Sequence, residues 1–215
     1  NSISQPSAGA TTLKIKGTHN DKAGSIYLES ADASVLAYIY PDNTNGLSIN
    51  TSTSHPIVFR TVGTERMRID SSGNVTMPFQ PAFNVYPASA QSNVAINTAV
   101  TVVFGTEAFD VGANFASNTF TAPVTGKYQL NVHLQLDALD IDPSLYQLQI
   151  LTSNKSYDLT IDPNFSADLT YHGITNSVLA DMDASDTVVV KMYQAGGAAQ
   201  TDISTSTVFS GYLVA

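Results

Sequence analysis

From Gly126 the chain alternates without a fault: Tyr128, Leu130, Val132, Leu134 and Leu136 fall on one face, and Lys127, Gln129, Asn131, His133 and Gln135 fall on the other. A period of two with apolar residues on one side predicts a half-buried antiparallel strand over 127–136. Pro123 and Gly126 set a turn ahead of it, and Phe120 closes a shorter strand before that turn. Similar runs predict strands over 82–86, 100–104, 119–122, 146–151, 157–161, 169–179, 187–193 and 205–214, with turn residues between them. No stretch has helical periodicity. The C-terminal part therefore reads as an antiparallel all-β sandwich or jelly roll.

Upstream the runs are shorter: 13–16, 26–29, 36–40, 47–50, 57–60 and 67–70. The later ones keep a register of ten, through Leu47, Ile57, Met67 and Met77 and through Ile39, Ile49, Phe59 and Ile69. One strand plus one turn at a fixed period suggests a stacked or wound β structure. Each run offers only two or three inward apolar side chains, too few to bury a face within one chain. Several chains sharing a core would solve this, so residues 1–77 are expected to form a β-structured trimeric shaft. Pro78, Pro81 and Pro87 mark the boundary, leaving 78–215 as the head.

Composition narrows the class. Charged residues make up 13% of the 215, and there is no cysteine, so disulfides and thiolate metal sites are unavailable. No apolar run is long enough to span a bilayer, and no signal-peptide pattern stands at Asn1; the chain opens mid-pattern, as a fragment of a longer fibre would. The charges before residue 78 cancel, so the whole net charge of −9 sits in the head, where only Lys127, Lys155 and Lys191 are basic. Such a head repels phosphate backbones and anionic lipid, which argues against nucleic acid and membrane insertion.

Two resemblances follow from particular residues. Phe104, Asp110, Phe115, Phe120, Gly126 and Tyr128, with the closing strand Ser206-Thr207-Val208-Phe209-Ser210-Gly211-Tyr212-Leu213, resemble the signature of the globular heads of complement C1q, which share a jelly roll with the tumour necrosis factor family. The gap between Phe115 and Phe120 is short by two residues, and Leu130 and Val132 stand where aromatics are usual. The resemblance covers about residues 79–215 and implies a homotrimer. Separately, Thr64-Glu65-Arg66-Met67-Arg68-Ile69-Asp70-Ser71-Ser72-Gly73-Asn74-Val75 looks like a segment of bacteriophage tail-fibre proteins that links a β shaft to a terminal knob.

Candidate chemistry is sparse. His19, His55, His133 and His172 sit in no triad or metal-ligand spacing, and there is no nucleophile elbow, phosphate loop or HExxH. The head's acids would furnish a glycosidase pair in many combinations, none specified by spacing. The run Asp137, Asp140, Asp142 could offer oxygen ligands to calcium, against the alternative of a solvated turn. Asp181-Met182-Asp183-Ala184-Ser185-Asp186 resembles a tight turn of the complement-type heads. Strand alternation gathers loops 137–145, 161–168 and 194–204 at one end of the head, and loops 152–156 and 180–186 at the other. The first set carries Asp140, Asp142, Asp162, Asn164, Phe165, Gln200 and Asp202, groups suited to holding a host cell-surface glycan or protein, and Gly196-Gly197 would let one loop adapt. Together these features point to a non-enzymatic trimeric fibre tip, extracellular on a virion and joined to other fibre or tail proteins, that adheres to a bacterial host. The alternatives are a polysaccharide depolymerase tailspike and a capsid or spore-surface decoration protein.

Overall fold

The computed structural model describes residues 24–42 and 44–215, so the strand expected over 13–16 and His19 lie outside the described residues. The chain divides into two compact units, one ending at Pro78 and one spanning Phe79–Ala215.

The first unit holds β1 (Ile26–Glu29), β2 (Leu36–Asp42) and β3 (Gly46–Thr51) in one antiparallel sheet, and β4 (Ile57–Thr61), β5 (Thr64–Ile69) and β6 (Val75–Thr76) in another. The register of ten does not wind parallel strands into a coil. Ile39 lies opposite Ile49, and Phe59 lies opposite Met67, within antiparallel hairpins. Turn chemistry decides this: Val62 and Gly63 both take left-handed backbone, at φ 49° and 75°, as a two-residue hairpin turn requires. Asp70 closes the next turn by accepting hydrogen bonds from the N–H groups of Ser72 and Asn74. Among the described residues every fully buried apolar side chain belongs to the second unit. Ile26, Tyr27, Leu28, Leu47, Ile49 and Phe59 stay exposed in a single copy of the first.

The second unit is a jelly-roll sandwich, and no helix occurs among the described residues. Its strands are β7 (Ala82–Tyr86), β8 (Val100–Thr101), β9 (Thr106–Val111), β10 (Phe115–Ala116), β11 (Thr119–Thr121), β12 (Gly126–Leu139), β13 (Tyr146–Thr152), β14 (Ser156–Ile161), β15 (Leu169–Met182), β16 (Thr187–Gln194), β17 (Asp202–Ile203) and β18 (Val208–Leu213). One sheet runs β15-β12-β18-β7-β9, with β17 also on β12; the other runs β10-β11-β16-β13-β14, with β8 also on β16. From β12 onward the chain passes between the sheets, so their inner faces share one core.

The spaced aromatics of the sequence make the centre of that core. Phe83 stacks on Phe120 at 4.5 Å and on Phe115 at 5.4 Å, and meets Phe209 edge-on at 4.9 Å. Phe104 lies 5.7 Å from Phe209, and Tyr128 lies 5.6 Å from Phe120. Offset and edge-on rings add about 1 kcal/mol per pair beyond the area they bury. Tyr128 is buried but keeps its hydroxyl satisfied, donating to the Val124 carbonyl at 2.8 Å; burial pushes its ionisation above the usual tyrosine value. Asp110 accepts hydrogen bonds from the N–H groups of Asn114 and Phe115 and so fixes the turn that delivers Phe115. Gly211 is needed for space, since a Cβ there would lie 2.7 Å from Phe83 and 2.9 Å from Leu130.

Candidate functional site

At the end of the sandwich away from the Gly126 and Ala215 backbones, four loops are tied together by three aspartates. Asp140 is 3% exposed. One of its carboxylate oxygens accepts the N–H of Asp142 at 3.0 Å, and the other accepts the N–H of Ala198. Asp168 accepts the N–H of Ile141 at 3.1 Å and the Gln200 side-chain amide at 2.9 Å. Asp202 accepts the N–H of Asn93 at 2.7 Å. Loops 91–97, 137–145, 162–168 and 194–204 are thereby joined through charge-assisted bonds. Buried beneath them, the Tyr146 hydroxyl bonds the Asp140 carbonyl at 2.8 Å and Thr201 Oγ1 at 2.9 Å. Burial pushes Tyr146 up to about 12, so it stays a neutral hydrogen-bonding group.

This arrangement brings the three expected loops to one end but divides their residues by role. Asp140 and Asp202 are occupied in holding loops, and Gln200 is held by Asp168. Asp142, Asp162, Asn164 and Phe165 stand exposed, and the Phe165 ring leans on His172 at 5.4 Å. Gly197 is also required for space. It takes φ 71°, and a Cβ would collide with the Asp140 carboxylate and lie 2.7 Å from Pro143.

The acidic run does not assemble a calcium site. Among the described residues no group of three or more His, Cys, Asp or Glu side chains could hold a metal ion. The reason is local: backbone N–H groups take both Asp140 oxygens, and Asp137 lies on the outer face of β12, opposite Tyr171 and Asp202. Between Asp137 and Leu139 the burial alternation slips by one residue where Ala138 takes φ 49°, while the ladder with β15 keeps its register.

Asp186 makes a tie of the same kind at the opposite end. Asp186 accepts from Ser153 Oγ at 2.7 Å and from the Asn154 amide at 2.5 Å, joining loops 152–156 and 180–186. These bonds, Ser153 first and then the Asp183 backbone, hold its carboxyl below the usual aspartate value. A depressed folded value means the tie stabilises fully above about pH 4 and is lost as pH falls through that lowered value. A carboxyl NMR titration of Asp186 is expected to give a midpoint below the ordinary one, and Ser153→Ala is expected to move it back up. An ordinary midpoint in the unsubstituted chain would contradict the tie.

The two outer faces differ in character. On the β13–β16 sheet the outward positions of β13 and β16 are Gln147, Gln149, Leu151, Thr187, Val189, Lys191 and Tyr193, with Asp158 and Thr160 on β14; the apolar ones, Leu151, Val189 and Tyr193, are only half-exposed. The other sheet exposes Phe109 at 49%, Leu179 at 53%, Tyr212 at 49% and Tyr171 at 70%. Leu179 and Tyr212 flank Gln129 from either side, and Phe109 lies one strand beyond Tyr212's own neighbour, opposite Asn84.

The C1q domain profile matches residues 82–214, more than half of the chain. The chain belongs to the C1q family. As in the C1q signature, Phe104, Phe115, Phe120, Tyr128 and Phe209 are core residues here and Asp110 is a turn-former, so the motif specifies the fold and no chemistry. The C1q-type head also overlays the globular domain of zebrafish complement 1qA with a TM-score of 0.47 and 17% identity, over 63% of this chain and 98% of that one. Murine APRIL overlays with a TM-score of 0.47 and 13% identity, over 63% of this chain and 99% of that one. No curated protein matches the chain.

Proposed function

We propose that this chain is the trimeric, non-enzymatic tip of a phage fibre that attaches to the surface of its bacterial host. The observation that carries the reading is the polarity of the head: one sheet face is apolar enough to receive other copies, while the tied loops form a rigid, acidic surface at one end. C1q and tumour necrosis factor-type domains form homotrimers and generally bind ligands without catalysis. Exposed apolar side chains in the first unit support assembly too, because three copies can cover what one copy leaves in water. The segment Thr64–Val75, whose tail-fibre resemblance supplies the virion context, folds as the β5–β6 hairpin. Rigid loops on a scaffold suit recognition, and the exposed Asp142, Asp162, Asn164 and Phe165 are the proposed contacts.

The labelled full chain is expected to adsorb saturably to some strains in a bacterial panel without releasing reducing ends from their surface polysaccharide. Changing Asp162, Asn164 and Phe165 together to alanine is expected to weaken adsorption at least about tenfold while leaving the assembly intact. Reducing-end release would favour the depolymerase. Adsorption to no strain would overturn the attachment role.

A further inference from the structure

Beside the tied loops, the outer face of the β12–β15 ladder opens into a cleft of about 600 Å³. It follows the stretch where Ala138 takes left-handed backbone, at φ 49°. Asp137 pairs with Tyr171 and Leu139 with Leu169 in unbroken register, Ala138 and Thr170 stand between these pairs, and the cleft opens along them. One wall is Tyr171, whose ring is held out in water by a strand position that points away from the core. The other is the Asp168–Gln200 pair, fixed in turn by the N–H of Ile141. With its Nε2 already engaged by Asp168, the Gln200 amide keeps a set orientation and still has an oxygen to offer. Asp137 completes the rim; its sole described partner is the Gln135 amide at 3.5 Å, so most of its acceptor capacity is open.

We propose that this cleft is a saccharide subsite that takes a neutral hexopyranose. An exposed tyrosine ring suits the C–H face of a pyranose, and the Asp137 carboxylate and the Gln200 amide suit the hydroxyls on its edge. A head carrying the chain's whole net charge of −9 disfavours uronates, sialates and phosphorylated sugars. The cleft lies on the same sheet face as Leu179 but well along it: Tyr171 and Leu179 are eight residues apart on one strand, about 27 Å. The inference names a ligand class for the attachment role and rests on that role for its biological use.

The test is saturation-transfer NMR on the full chain with the methyl glycosides of glucose, galactose and N-acetylglucosamine, and with galacturonate as the anionic control. Transfer is expected to the ring C–H protons of at least one neutral glycoside at millimolar concentration. It should survive in Tyr171→Phe, weaken about tenfold in Gln200→Ala and vanish in Tyr171→Ala. Absence of transfer to every neutral glycoside, transfer that persists in Tyr171→Ala, or a preference for galacturonate would overturn the proposal. Whole-cell adsorption separates the two readings. A chain that binds glycosides but no cells loses the attachment role and keeps the cleft. A chain whose Tyr171→Ala variant adsorbs to cells and takes up glycosides as well as the parent keeps the role and loses the cleft.

Discussion

Leu179→Asp and Tyr212→Asp, made singly, are each expected to dissociate the assembly while leaving the sandwich folded. Both side chains lie on the outer face of one sheet, half exposed in a single copy, so neither substitution disturbs the core. If other copies cover this face, each new carboxylate is buried without a cation to meet it; Lys127, the basic group on the intervening strand β12, is already paired with Asp181 at 2.6 Å. An unpaired buried charge costs at least about 3 kcal/mol, which weakens association by about 150-fold per substitution. Sedimentation at micromolar concentration is expected to show a folded monomer for both variants. Val189, at an outward position on the opposite sheet, provides the control, and Val189→Asp is expected to leave the assembly unchanged. Equal dissociation by all three would show that the asymmetry between the faces has no role in assembly.

Asp140→Asn is expected to be the most damaging isosteric change in the head, at about 3 kcal/mol. Asparagine keeps the shape but turns one acceptor into a donor. Both Asp140 oxygens receive backbone N–H groups, from Asp142 and Ala198, so the new amide must face one of them donor to donor. The site is buried, and water cannot repair the clash. Asp168→Asn is the informative comparison. One Asp168 oxygen receives the Gln200 side-chain amide, which can turn over and present its own oxygen. The loss there should be no more than about 1 kcal/mol. Thermal unfolding is expected to show a drop of about 10 °C for Asp140→Asn and a small one for Asp168→Asn. Equal shifts would mean that Asp140 does not hold loop 194–204.

What could be read in the sequence follows from how each feature is encoded. Alternating side chains encode a half-buried strand directly, so β12 and the inward Tyr128, Leu130, Val132, Leu134 and Leu136 were legible. The strand β9 was not, because its exposed Phe109 faces outward and a bulge at Asn84/Val85 shifts its register with β7. The gathering of three loops at one end follows from strand direction, and it was legible too. The division of labour inside those loops was not. Asp140, Asp168 and Asp202 lie far apart in the chain, and most of their partners are backbone N–H groups, which leave no trace in the sequence. An acidic run therefore read as a cation site or a ligand contact when its most buried member is a loop tie. Gly197 is ambiguous for the same reason: a glycine that permits a close approach has the same letter as one that permits movement. In the first unit, the ten-residue spacing was real but could not distinguish a wound coil from successive hairpins, and the left-handed turn at Val62 and Gly63 decided it.

The most direct measurement is the mass of the unmodified full chain in solution, by size exclusion with multi-angle light scattering at micromolar concentration. Each chain weighs 22.8 kDa. The account predicts a single species of about 68 kDa, three chains, unchanged on dilution through the micromolar range. A stable species at 22.8 kDa under those conditions would contradict it, because the apolar sheet face and the exposed side chains of the first unit would then have no other copy to cover them.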